Sequence, residues 1–190
     1  MPDQPRPAKR LCRLRCLLPD LLDPGSGSLI PRMAFVLGAM RSRWDELDRR
    51  IAAFDAEFAA MTWTVKRARR LTGIPGIGAQ TATALVAAVG NAATFTKGRD
   101  LAAWLGLVPR QATTGGKPKL LGITKRGSRY LRKMLIQGAR SAMPTLAKAN
   151  TAIGARLRVL LVRTHPNVVV VALAAKMAHC LGVSAARAKL

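Results

Sequence analysis

Carboxylates are scarce in this chain and absent from most of it. Of nine Asp and Glu, eight lie at or before Glu57, and from Phe58 to Leu190 Asp100 stands alone against 22 Lys and Arg. Metal-assisted phosphoryl transfer holds its cations with several carboxylates, so residues 58–190 cannot assemble such a site by themselves, and no metal ligands are assigned. Histidine is equally rare. His165 and His179 come late, and neither stands in a motif with Ser or Cys. There is no Gly-x-Ser-x-Gly and no nucleotide-hydrolase phosphate loop, which leaves conventional acid–base hydrolysis without its groups. The three cysteines, Cys12, Cys16 and Cys180, have neither zinc spacing nor a paired framework; they read as reduced thiols of a cytoplasmic protein. No run of 18 apolar residues occurs. The stretch opening at Val168–Val171 is interrupted by Lys176 and His179, so a buried helix is expected rather than a membrane partner. Pro19, Asp20 and Asp23 break the N-terminal apolar segment too early for a signal peptide. Aromatic residues are only 4% of the chain, and abundant alanine favours closely packed helices instead.

What is present is positive charge, +23 in all. A segment so one-sided repels itself and calls for a polyanion. Nucleic acid fits. An anionic membrane fits less well, because the cations are spread over several segments instead of along one amphipathic helix.

The most informative motif is Ile74-Pro75-Gly76-Ile77-Gly78, followed by Ala82 and Leu85-Val86. It reads as a helix-hairpin-helix. Pro75 pre-sets a turn dihedral, the glycines admit a tight turn and close approach, and a helix starting near Ala79 would point its N–H groups at a phosphate. A plain helical corner with glycines is the competing reading. Pro75, Gly76, Ile77 and Gly78 are taken as DNA-backbone contacts.

The expected fold is mainly α: a coiled-coil helix, then a compact helical domain with the hairpin and a short irregular or β-hairpin insertion. Residues 1–30, rich in Pro, Arg and the run Asp23-Pro24-Gly25-Ser26-Gly27-Ser28, show no sustained period and are expected to be a disordered or degenerate N-terminus. Residues 31–62 form the coiled-coil segment. Met33, Leu37, Met40, Trp44, Leu47, Ile51, Phe54, Phe58 and Met61 are spaced alternately four and three apart, a heptad seam. In a parallel homodimer through residues 33–61, Arg43 would face the partner's Asp48 and Arg50 the partner's Asp55; packing within one chain is the alternative. Residues 63–185 make the helical domain. Its helices are expected over about 62–71, 79–89, 97–105, 125–143, 147–162 and 167–181, with Trp104 and Tyr130 turned inward. Between residues 107 and 124 the helical period lapses, and Thr114-Gly115-Gly116-Lys117 suits a hairpin tip. A basic face carries Arg126, Arg129, Arg132, Lys133 and Arg140 without acids. In the loop Arg110 to Lys117, cations and glycine amides could hold a phosphate and a threonine hydroxyl could attack it; a turn that merely touches DNA is the plainer reading.

Several strings, in order, resemble the C-terminal half of insertion-sequence 110 family transposases. They are residues 71–89, Trp104-Leu105-Gly106-Leu107-Val108-Pro109-Arg110, Gly115-Gly116-Lys117, Gly122-Ile123-Thr124-Lys125-Arg126-Gly127, Tyr130-Leu131-Arg132, Gly138-Ala139-Arg140 and Ala172-Leu173-Ala174-Ala175-Lys176. The resemblance is nearest to the one-one-one-one subgroup, in a family that includes Piv-type invertases, and covers about residues 30–182. It implies a DNA-recombining enzyme in two parts: a ribonuclease-H-like domain with four acidic metal ligands, then a coiled coil and a domain carrying a serine nucleophile, guided in some members by RNA. Thr113 stands where that serine is expected, and Ala112 where a histidine precedes it. Arg110, Gly115, Gly116, Lys117, Lys125, Arg126, Arg129 and Arg132 fall at DNA-binding positions. No acidic domain is recognisable in residues 1–30. The expectation is therefore a DNA-binding chain, nucleoid-associated, that is not competent for strand transfer alone and binds no cofactor itself, Mg²⁺ being expected only with the acidic domain. A non-enzymatic helix-hairpin-helix accessory protein is the alternative.

Overall fold

The computed structural model describes residues 7–23, 29–90, 95 and 97–187. Among them are eight helices and one two-stranded sheet: α1 (Pro7–Leu22), α2 (Pro31–Thr64), α3 (Lys66–Thr72), α4 (Ala79–Val89), α5 (Gly98–Trp104), β1 (Pro109–Thr114), β2 (Lys117–Ile123), α6 (Arg129–Lys148), α7 (Ala152–Arg163) and α8 (Pro166–Arg187). The mainly α class is as expected. The chain forms two compact units, residues 1–54 and 55–190. Their division falls inside α2.

In the first unit, residues 7–22 are helical, which corrects the expectation of a disordered or degenerate segment there. Pro7 opens the helix, where proline is tolerated, Pro19 falls within its last turn, and Leu14, Leu18 and Leu21 recur at helical spacing, Leu18 being buried. Arg15 pairs with Asp48 at 2.6 Å and with Asp45 at 3.6 Å, and its guanidinium lies 5.9 Å from the Trp44 ring centre. The run 24–28 lies outside the described residues.

The second unit is built around α8. Val169, Val170, Leu173, Ala174, Met177, Ala178 and Leu181 are buried and pack among the inner faces of α4, α5 and α6, which contribute Ala82 and Leu85, Leu101 and Ala102, and Leu131, Leu135 and Ala139. By length and composition Pro166–Val183 is apolar enough to cross a membrane, with mean hydropathy 1.5; here its apolar side chains supply the core.

Several helix boundaries differ from those expected. The helix expected from residue 62 is instead the end of α2, a break at Val65 in extended geometry (φ −93°, ψ 104°), and a new start at Lys66. The helix expected from residue 125 begins at Arg129, because Ser128 caps it by accepting from the Leu131 N–H at 3.3 Å. It runs on through Pro144 to Lys148, since half-buried Leu146 and Ala147 still reach the core. The next helix starts at Ala152, where Thr151 accepts from the Gly154 N–H at 3.1 Å. Two aromatic expectations are corrected. Tyr130 is 62% exposed, on the outer side of α6. Trp104 is 38% exposed, meeting Phe95 edge-on at 5.7 Å instead of filling the core.

Candidate nucleic-acid interface

The α3–α4 corner is a tight turn with a buried side and an open side. The Ile77 N–H donates to the Ile74 carbonyl at 3.0 Å. Pro75 takes the second position and Gly76 the third with φ +87°, the type II pattern in which glycine is favoured. Ile77 is buried at 4% exposure. Gly76 is half-buried, and a Cβ there would lie 2.5 Å from the Gly138 carbonyl of α6. Pro75 and Gly78 are exposed, and nothing lies within 4 Å of a Cβ built on Gly78. Gly78 is the N-cap of α4 and provides no side-chain cap, so the amides of the first turn of α4 keep donor capacity for an outside acceptor. The motif therefore divides: Gly76 and Ile77 hold the corner against α6, whereas Pro75, Gly78 and the helix start face outward.

α6 joins this corner to the strand pair. Its outer stripe, Arg129, Tyr130, Lys133, Gln137 and Arg140, is exposed along its length. Near its N-terminus the chain crosses itself: Gly106 packs on the Arg126 backbone and Gly127 on the Trp104 carbonyl, contacts that leave no room for a Cβ. Lys125 sits there with φ +57°, its N–H donating to the Gly106 carbonyl at 3.1 Å. The left-handed conformation is costly for a residue with a Cβ, and here it aims two exposed side chains, Lys125 and Arg126, away from the crossing.

The insertion is a β-ribbon whose register is Thr114↔Lys117, Thr113↔Pro118, Ala112↔Lys119, Gln111↔Leu120 and Pro109↔Ile123. Gly115 and Gly116 both have positive φ (+59°, +75°), as a two-residue hairpin turn of the primed kind requires. Every residue from Pro109 to Gly122 in the two strands is exposed. Directly opposed residues share a face and neighbours alternate. One face therefore carries Ala112, Thr114, Lys117 and Lys119, and the other Gln111, Thr113, Pro118 and Leu120; Arg110 lies at a shift in register between Pro109 and Gln111 and falls, by alternation along β1, on the face of Ala112. Gln111 Nε2 donates to Thr113 Oγ1 at 3.3 Å, which agrees with that division. Thr113 thus lies on the face opposite Arg110 and Lys117, which were read with it as one phosphate-holding loop. The hydroxyl that shares the cationic face is that of Thr114.

Some of the cations are structural. Arg132 is half-buried, and its Nη1 donates to the carbonyls of Leu105 (3.0 Å) and Arg126 (3.3 Å), tying α6 to the crossing. Arg67 donates to the Gly90 carbonyl at 3.0 Å and Arg158 to that of Ala147 at 2.9 Å, each satisfying a helix end. His165 Nδ1 accepts from the Asn167 N–H at 3.2 Å. His179 lines a groove of about 500 Å³ with Leu107, Leu157, Arg156 and Lys176, and no hydroxyl, thiol or carboxylate joins it there. Among the described residues no three His, Cys, Asp or Glu side chains converge. Asp100 accepts from the Lys97 N–H at 2.9 Å at the start of α5. The donor set for a divalent cation of the kind the resemblance implies does not fit this unit. Sequence reading missed the outward Tyr130 and the cationic face completed by Lys119; strand alternation would have found Lys119.

Residues 68–153, which span the corner, the crossing, the ribbon and α6, match the family described as Transposase IS116/IS110/IS902. Over these residues the chain belongs to the IS116/IS110/IS902 transposase family. It is similar to a probable family 20 transposase of Pseudomonas aeruginosa, 42% identical over 78% of this chain and 44% of that protein. It is 37% identical to the transposase for insertion sequence element IS1111A of Coxiella burnetii, over 85% of this chain and 44% of that one. It is also 37% identical to the transposase for insertion sequence element IS1328 of Yersinia enterocolitica, over 82% and 47%. The chain thus spans less than half the length of the transposases it matches.

Proposed function

We propose that this transposase-family chain is a duplex-DNA-binding part of an insertion-sequence recombination system, of the one-one-one-one kind. One observation carries the reading. The outer stripe of α6 is exposed, cationic and free of carboxylates, on a helix that packs against the α3–α4 corner at Gly138 and follows the ribbon in the chain. Helix amides and the side chains Arg110, Lys117, Lys119, Lys125, Arg126, Arg129 and Lys133 suit successive backbone phosphates. The helix-hairpin-helix is in this reading a clamp whose outward half is Pro75, Gly78 and the first turn of α4. Arg132 supports the surface from behind.

Strand transfer by this chain alone is not part of the proposal. Thr113 lies away from the cations, and the carboxylates for Mg²⁺ would come from another domain or chain. Assembly is proposed through α2. Seam residues Met33, Met40, Leu47, Ile51, Phe54 and Met61 are 44–64% exposed, and a second copy would cover them. The charges expected to pair across a dimer have partners within the chain: Arg43 and Arg50 with Glu46, Asp48 with Arg15, and Asp55 with Gln80. The seam, not the flanking charges, would therefore drive association. RNA is a second candidate polyanion, and nucleoid association would follow from DNA binding in a cytoplasmic setting.

The test is fluorescence anisotropy with a labelled duplex over a range of NaCl. Contact with about 6 phosphates gives a log–log slope of about −5, with little dependence on sequence. A flat salt response refutes the proposal.

A further inference from the structure

Trp63 is 70% exposed, although tryptophan offers more apolar surface to bury than any other side chain. It occupies the penultimate position of α2. At ~100° per residue it lies ~200° round the helix from Met61, the last seam residue, so a second helix laid along the seam would leave it uncovered. Across the break at Val65, the Arg69 guanidinium sits 5.4 Å from the Trp63 ring centre. Lys66, Arg67, Arg69 and Arg70 follow on α3, all exposed, and no carboxylate occurs between Phe58 and Arg99.

A broad aromatic face in water, backed by a guanidinium and set beside a run of cations, is the composition of a base-stacking platform. Stacking needs an unpaired base, because bases in a duplex already stack on their neighbours; the adjoining cations then hold the phosphates on either side of it. We propose that Trp63, with Arg69 behind it, binds an unpaired base of a single-stranded nucleic acid. Arg69 orients the indole through the cation–π contact, and Lys66 and Arg70 hold the flanking phosphates. This site shares no residue with the proposed duplex surface and adds a second form of nucleic acid to the proposed function.

The experiment compares the full chain with Trp63→Ala and Trp63→Phe by anisotropy, at moderate salt. The probes are labelled oligothymidylate, oligouridylate, an abasic oligodeoxynucleotide of equal length, and a duplex. Stacking of one base on an aromatic side chain corresponds to about 1–3 kcal/mol. Trp63→Ala should therefore weaken oligothymidylate or oligouridylate binding roughly 5- to 150-fold, towards the affinity of the abasic strand, with Trp63→Phe in between. Duplex affinity and the far-ultraviolet circular dichroism should not change. If both oligomers respond, the platform reads bases irrespective of sugar; if one does, it names the strand type. The proposal is overturned if the parent binds abasic and base-bearing strands equally, or if Trp63→Ala leaves both oligomers at parental affinity. A flat salt response with duplex would refute the α6 surface and leave the abasic comparison to decide Trp63.

Discussion

Replacing Gly76 by alanine sets a methyl group against the Gly138 carbonyl, 2.5 Å away, on a residue held at φ +87°. Two costs combine. The left-handed conformation disfavours a residue with a Cβ by about 1–2 kcal/mol, and forcing a methyl into a packed contact costs about 1–3 kcal/mol. Alanine also restricts the unfolded chain, which returns about 0.4–1 kcal/mol. The net expectation is a loss of about 2–4 kcal/mol, or a fall in Tm of roughly 5–15 °C for a chain of this size. The internal control is Gly78→Ala. That residue has φ −86° and ψ 176°, ordinary for alanine, and open space around its Cβ position, so its Tm should shift by less than about 3 °C. Thermal melts of both variants followed by circular dichroism supply the measurement, with Gly138→Ala added to test reciprocity. Because Gly76 and Gly138 share one contact, the double variant should lose less than the sum of the singles. Should Gly76→Ala melt with the parent, or Gly78→Ala melt as low as Gly76→Ala, the division of the corner into a packed side and an open side is wrong.

Arg132→Met keeps the aliphatic stem but removes the donors to the Leu105 and Arg126 carbonyls; with a half-exposed guanidinium the expected loss is about 1–2 kcal/mol, read from the urea midpoint, and an unchanged midpoint would show that these bonds add nothing. Leu47→Asp with Ile51→Asp alters side chains that are 45% and 56% exposed, so the helix should persist while assembly is lost. Light scattering should find the parent at twice 20.4 kDa and the variant at single mass; a monomeric parent, or equal masses, disposes of the α2 dimer.

Much of the architecture was legible because it is written in local periods. The heptad seam is one continuous helix, as its spacing required, since 3.6-residue periodicity belongs to the chain and needs no partner to be visible. Thr114-Gly115-Gly116-Lys117 is a hairpin tip because both central residues take positive φ, which glycine admits. Pro75 and Gly76 occupy turn positions for the same kind of reason. The N-terminal helix is masked in the sequence by its prolines and arginines, although Leu14, Leu18 and Leu21 recur at helical spacing. Tyr130 was misplaced because an apolar ring was assumed to face inward, when its position on α6 sets it in the cationic stripe.

The sequence alone determined the charge, the helix periods, the turns and the family strings, because each depends on residue identity and near-neighbour spacing. Which glycine packs and which stays open, which arginine satisfies a carbonyl and which faces solvent, and on which face of the ribbon Thr113 lies were decided only by tertiary structure. Those outcomes depend on atoms far apart in the chain: Gly76 meets Gly138, Arg132 meets Leu105, and Thr113 is set opposite Pro118 by a register that no single strand contains.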